Sequence, residues 1–217
     1  MVPRETGVPP PSLLADLFSE RAPQARQYAG LLRGPGVQRG LIGPREGPRI
    51  WQRHILNCAA ISGLFPAGSR LCDVGSGAGL PGIVVALGRP DLSVTLLEPL
   101  LRRVTFLQET VAALMLDNVV VVRGRAEQQI DVQRFEAVTA RAVAPLDTLA
   151  RWCLPLLVPG GELVAMRGAQ AHDEVASTRE TLAGLGVAAV SIETYGARFV
   201  QPPTTVVRLQ SGSTDQP

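Results

Sequence analysis

Four short stretches of this 217-residue chain carry residues that can do chemistry. The first is Leu71-Cys72-Asp73-Val74-Gly75-Ser76-Gly77-Ala78-Gly79-Leu80-Pro81-Gly82. Glycines at alternate positions let the chain turn sharply and bring backbone against a ligand, and a helix start adds free N–H donors. Alone, such a run is also compatible with a plain tight turn. A dinucleotide fingerprint wants a glycine where Leu80 stands. Asp73, just before the turn, offers nothing to a pyrophosphate, whereas a cationic aminoacyl group can use a carboxylate there. The second is Glu98, closing Thr95-Leu96-Leu97. A carboxylate at a strand end can accept hydrogen bonds from both ribose hydroxyls, although an acid is also favoured at the start of a following helix. The third is Arg123-Gly124-Arg125-Ala126-Glu127, which can offer backbone N–H and a carboxylate to an adenine edge. The fourth is Ala140-Arg141-Ala142, an arginine at the end of a small-residue run.

The elements that must position these groups are legible as periodicity. Short apolar runs at 70–74, 93–97, 119–122, 137–139 and 162–166 read as strands. Amphipathic segments at 81–87, 100–116, 145–157 and 172–185 read as the helices between them. This alternation predicts a parallel sheet with helices on both faces, joined by right-handed crossovers. Asp73, Glu98, Glu127 and Arg141 follow four successive strands, so all four fall on the one sheet edge where ligands bind. Two further strand-like runs, 187–193 and 204–209, are joined by too few residues for a parallel crossover, so the last strand should run antiparallel. The expected fold class is therefore α/β, a mostly parallel seven-stranded sheet with an antiparallel last strand and an N-terminal helical extension; by analogy of architecture it resembles the class I S-adenosylmethionine-dependent methyltransferase (Rossmann-like) fold. Its expected divisions are a disordered 1–11, a helical segment 12–66, a methyltransferase domain 67–210 and a disordered tail 211–217. In the helical segment Ser12 is expected to cap the first helix, 34–48 to be a Gly/Pro-rich loop, and Pro48 to open a second helix carrying Trp51 and His54.

The run Asp73 to Ile83, with Gly79-Leu80-Pro81-Gly82 after the turn, closely resembles the ribosomal RNA small-subunit methyltransferase G family, also called glucose-inhibited division protein B. Arg53-His54-Ile55-Leu56-Asn57, Leu96-Leu97-Glu98, Arg102-Arg103-Val104-Thr105-Phe106-Leu107 and Arg141-Ala142 extend the resemblance, which covers roughly 41–209. It implies a bacterial cytoplasmic enzyme that uses S-adenosyl-L-methionine to methylate N7 of one guanine in 16S rRNA. It implies cofactor contacts at Gly75, Gly77, Leu80, Ala126, Glu127 and Arg141, with Glu98 at the ribose. Arg102, Arg103, Arg123 and Arg167 are the expected RNA contacts. Four places depart from the family pattern: Gly40-Leu41-Ile42, Asn57, Arg102-Arg103 and Arg167-Gly168.

The chemistry is compatible with these residues. Guanine N7 attacks the sulfonium methyl with a free lone pair, so no general base is named. Methylation at cytosine C5 would need a cysteine nucleophile, but Cys153 lies in an apolar helix pattern and reads as core. Three widely spaced cysteines suggest reduced thiols, two histidines are too few for a His-rich metal site, and no apolar run approaches the ~18 residues of a membrane span. A cytoplasmic monomer acting on 16S rRNA, within a small ribosomal subunit or its precursor, is expected. The alternative is a methyltransferase for a small molecule or protein. All 21 basic residues are arginine, and window 21–53 holds seven of them against Glu46 alone, an asymmetry that a small substrate would not need.

Overall fold

The computed structural model describes residues 7–130 and 132–212. Seven strands, β1 Arg70–Val74, β2 Ser93–Glu98, β3 Val119–Arg123, β4 Phe135–Arg141, β5 Leu157–Arg167, β6 Val187–Tyr195 and β7 Thr204–Ser211, form one sheet in the order β3-β2-β1-β4-β5-β7-β6. Neighbours among β1 to β5 pair in parallel. β7 runs antiparallel to both β5 and β6, as the short join before it requires. Between the strands lie α4 Gly82–Gly88, α5 Leu101–Ala113, α6 Leu146–Cys153 and α7 Ala171–Gly184.

The two faces of the sheet follow the period of two. Leu71, Leu96, Ala137 and Val164 belong to one core, with α4 and α5. Their neighbours Cys72, Leu97, Val138 and Leu163 belong to the other, with α6 and α7. Burial on both faces explains why these strands read as continuous apolar runs. The chain order reverses between β1 and β4, which pair side by side. A crevice opens beyond the carboxyl ends of strands at such a switch point.

The N-terminal segment differs from expectation in three ways. Helix α1, Pro11–Phe18, is not capped by Ser12: Pro10 stands at the cap without a side-chain hydrogen bond and Pro11 takes the first turn, where its missing N–H costs nothing. Helix α2, Ala22–Leu31, does not give way to a loop at 34. It continues through a π-helical turn, Leu32–Gly36, whose width accommodates the Pro35 ring, and Gly36 lies close to the Leu31 carbonyl, Ile42 and Phe106. Pro48 sits inside a 3-10 stretch, Pro44–Arg49, that leads into a second π-helical turn, Ile50–Leu56, and then α3, Asn57–Ala59.

Leu14, Phe18, Tyr28, Leu32, Ile50 and Trp51 share one core with Ile83, Val84, Leu96 and Phe106. A core therefore crosses the division expected at residue 66, because α4 is apolar on all sides and needs cover away from the sheet. The segments expected to lack order fall largely outside the described residues. Where they are described, Pro11 opens α1 and Ser211 closes β7.

Candidate active site

The glycine-rich turn leaves β1 over the edge of the sheet. Gly75 has φ +70, and its N–H and that of Ser76 donate to the Leu97 carbonyl at 2.8 and 3.2 Å. A Cβ at Gly75 would also stand 2.9 Å from a Val143 methyl, so only glycine fits. The Gly77 N–H donates to Glu98 Oε2 at 3.0 Å and the Leu100 N–H to Glu98 Oε1 at 3.1 Å, with Arg103 Nη1 3.5 Å away. Glu98 is thereby locked at the end of β2, fully buried yet forming part of the wall. From the N-terminal helices, the Tyr28 hydroxyl donates to the Ala78 carbonyl at 2.8 Å and pins the far side of the turn.

Gly75, Gly77, Leu80, Glu98, Ala126, Glu127 and Arg141 all line a single cleft of about 550 Å³. That lies within the range of roughly 300–1,000 Å³ in which small ligands and cofactors are held. Gly124 and Arg125, from the stretch after β3, line it with them, and Leu41, Ile42, Val143 and Trp152 join the wall without a signal in the sequence. Leu41 and Ile42 reach it from the N-terminal segment through a tertiary contact with no local signature. Glycine spacing leads to the turn but not to what faces it.

Asp73 is not in the wall. It is fully buried behind the turn, where Oδ2 accepts the Gly82 N–H at 2.9 Å and Oδ1 has no partner. The cationic partner expected for it is not what the geometry provides: it anchors the start of α4 to β1. Of the four expected RNA contacts, Arg102 and Arg123 are exposed. Arg103 is drawn onto Glu98 and lines the cleft. Arg167 donates to the Ala144 carbonyl at 2.8 Å and lies 3.5 Å from Glu174, in a neighbouring hollow that shares Arg141 and Ala142 with the cleft. Burial lowers its pKa from the ordinary value. Cys58, Cys72 and Cys153 are free and buried, and no metal-ligating cluster occurs among the described residues.

The family model for rRNA small subunit methyltransferase G matches residues 21–201. The chain belongs to this family. It is 55% identical over 214 residues to Ribosomal RNA small subunit methyltransferase G of Salinispora tropica, covering 94% of this chain and 88% of that one. It is 53% identical to the protein of the same name from Streptomyces avermitilis, over 94% and 86%. Among solved structures, a putative S-adenosyl-L-methionine-dependent methyltransferase from Methanococcus maripaludis superposes with a TM-score of 0.59 at 15% identity, covering 89% of this chain and 93% of that one. That likeness concerns the fold. As a member of the methyltransferase G family, the chain is a methyltransferase and its cofactor is S-adenosyl-L-methionine.

Two buried groups in this methyltransferase fold give opposing pH dependences. Burial pushes the Asp73 carboxyl up from 3.8 to about 7, against the lowering pull of the Gly82 N–H and the Arg141 charge. Its contribution to stability is thus present at low pH and is lost as pH rises toward 7. Burial, then the Arg141 charge, lowers His54 from 6.5 to about 4, so its contribution is present above 6.5 and is lost as pH falls toward 4. The two slopes oppose one another between pH 4 and 6.5. Asp73→Asn keeps an acceptor for Gly82 and leaves the His54 slope alone. Its urea midpoint is expected to drop between pH 6.5 and 5 while the wild-type midpoint shifts much less. Equal drops in both proteins would refute the Asp73 assignment.

Proposed function

We propose that the protein transfers the methyl group of S-adenosylmethionine in line to N7 of a guanine in 16S rRNA, presented in a small ribosomal subunit or its precursor. The observation that carries this is the set of titratable groups facing the cleft: Glu98, Arg103, Arg125, Glu127 and Arg141. The one buried carboxylate among them, Glu98, already accepts two backbone N–H bonds, so its oxygens are engaged as structural acceptors. Guanine N7 has no proton to lose, so alignment and electrostatics suffice. The relatives' names, which specify small-subunit rRNA, support the same substrate. An rRNA substrate would put the reaction in the cytoplasm, and no helix among the described residues is long and apolar enough to cross a membrane.

The cofactor supplies an electrophilic methyl on sulfur; the chain supplies its seat. Gly75 and Gly77 would let backbone approach it closely, and Glu98 would accept the ribose hydroxyls. Ala126 and Glu127 would meet the adenine, Leu80 would form apolar wall, and Arg141 would hold the aminoacyl carboxylate. To test this, small subunits and naked 16S rRNA from a strain lacking the enzyme are incubated with labelled cofactor. Label at guanine N7 is expected. Label at another atom, or only on a small molecule or protein, would overturn the proposal.

The basic N-terminal window is partly consumed within the molecule. Arg21 pairs with Asp117, Arg39 with Glu109 and Arg53 with Glu46, while Arg33 donates to the Gly47 carbonyl. Arg26, Arg45 and Arg49 are exposed and enter no ion pair among the described residues. Changing these three to glutamine is expected to lower the slope of log affinity for small subunits against log salt by about 2, at roughly 0.7–0.9 per lost phosphate contact. An unaltered slope would leave them as ordinary surface.

A further inference from the structure

We propose that Glu46 and His54 form a relay that positions the Arg141 guanidinium in the cleft, making the N-terminal segment a working part of the cofactor site. Arg141 Nη2 lies 2.9 Å from His54 Nδ1, and His54 Nε2 lies 3.0 Å from Glu46 Oε2. A guanidinium only donates, so Nδ1 must be the bare nitrogen; Nε2 then carries the proton and donates it to the Glu46 carboxylate. The two bonds select one tautomer and fix the ring. Arg141 Nη1 meanwhile faces the Arg53 carbonyl at 3.4 Å and Cys58 Sγ at 3.7 Å. The π-helical turn Ile50–Leu56 brings the ring and that carbonyl to the same guanidinium. Arg141 is thus held from behind by the N-terminal segment while its side chain lines the cleft in front.

The His54 side chain is only 11% exposed. The charged groups that face it are Glu46 from the 3-10 stretch, Arg53 from its own turn and Arg141 from β4, with Tyr28, Cys58 and Asp73 around Arg141. Its pKa of about 4 keeps it neutral near pH 7, the state the relay needs, since an imidazolium would set N–H against N–H. Arg53 and Glu46 also pair, at 3.4 Å, which steadies the carboxylate. A histidine buried merely as filler would need neither partner in line.

The proposal rests on Arg141 being a cofactor group, as inferred above, and two measurements separate the claims. In the full chain carrying ¹⁵N-histidine, with His172→Gln for assignment, His54 is expected to show a bare Nδ1 and no titration from pH 5.5 to 8. In Arg141→Leu its titration should move up toward the ordinary range. A titrating His54 in the parent, or no shift in the variant, overturns the relay whatever the cofactor does. By calorimetry with S-adenosylhomocysteine, His54→Leu and Arg141→Leu should each bind about tenfold more weakly. The double variant should bind no more weakly than Arg141→Leu alone. His54→Asn, whose amide oxygen can stand in for Nδ1, should regain most of the affinity. Additive losses, or no recovery with asparagine in a variant whose melting temperature is unchanged, would reduce His54 to a packing residue. Absence of binding by the wild-type chain would instead overturn the reading of the cleft, with the histidine spectra still deciding the relay.

Discussion

Replacing Glu98 with alanine is expected to weaken S-adenosylmethionine binding by about 100-fold while changing affinity for the small subunit little. Hydrogen bonds to a charged acceptor contribute roughly 1.5–3 kcal/mol each; at the lower figure, the partner lost by two ribose hydroxyls costs about 3 kcal/mol, on the order of 100-fold. A carboxylate has about four acceptor sites: Gly77 and Leu100 take two, and the long 3.5 Å contact from Arg103 is the one that gives way when both hydroxyls bind. Those backbone bonds make the group more than a point of contact. Without it the Gly77 and Leu100 N–H groups lose their acceptor, and the turn and the start of α5 loosen together. Glu98→Gln keeps the volume but turns an NH2 toward one of the two donors, so an intermediate loss is expected. Glu127, which lines the same cleft but is exposed, should cost less when truncated, because water competes for its contacts. Isothermal titration of the three variants ranks them. Unchanged affinity in Glu98→Ala would mean that the residue serves only as a start signal for α5.

Gly82→Ala should cost about 3 kcal/mol in stability, which in a chain of this size is a melting temperature lower by roughly 6–12 °C. An added Cβ would lie 2.3 Å from a Leu96 methyl and 2.7 Å from Asp73 Oδ2. The leucine can rotate, but the carboxylate cannot yield without releasing the Gly82 N–H it accepts. Helix α4 would be pushed off β1 and β2, and the turn that begins it would shift with it. Thermal melting with and without cofactor distinguishes the two consequences: a lowered melting point that the cofactor restores poorly is expected. A wild-type melting curve would show that the helix has slack that the close packing conceals.

How much was legible before folding depends on the range of the interaction. The strands, the helices between them, the reversed last strand and the common edge for Glu98, Glu127 and Arg141 all follow from local periodicity and connection length, and the fold carries them. Glycines at 75 and 82 announce a backbone that must turn and approach closely. The turn-rich connector read over 34–48 is found at 39–43; the sequence sets its start too early because Gly and Pro are local breakers, while a π-helical turn packed against Ile42 and Phe106 is a tertiary solution to them. Asp73 differs from its expectation for the same reason: a carboxylate beside a glycine turn looks available until burial places it behind that turn.

The sequence by itself determined the class of fold, the family, and the edge of the sheet where the cleft opens, because these depend on residue order, spacing and chirality. Only the tertiary structure decided which side chains are committed inside the molecule and which face the cleft. It spends Arg21 on Asp117 and Arg39 on Glu109, draws Leu41 and Ile42 into the wall, and sets His54 between Glu46 and Arg141. Each of these depends on partners far apart in the chain, and a carboxylate or guanidinium carries no local mark of the partner that burial will give it.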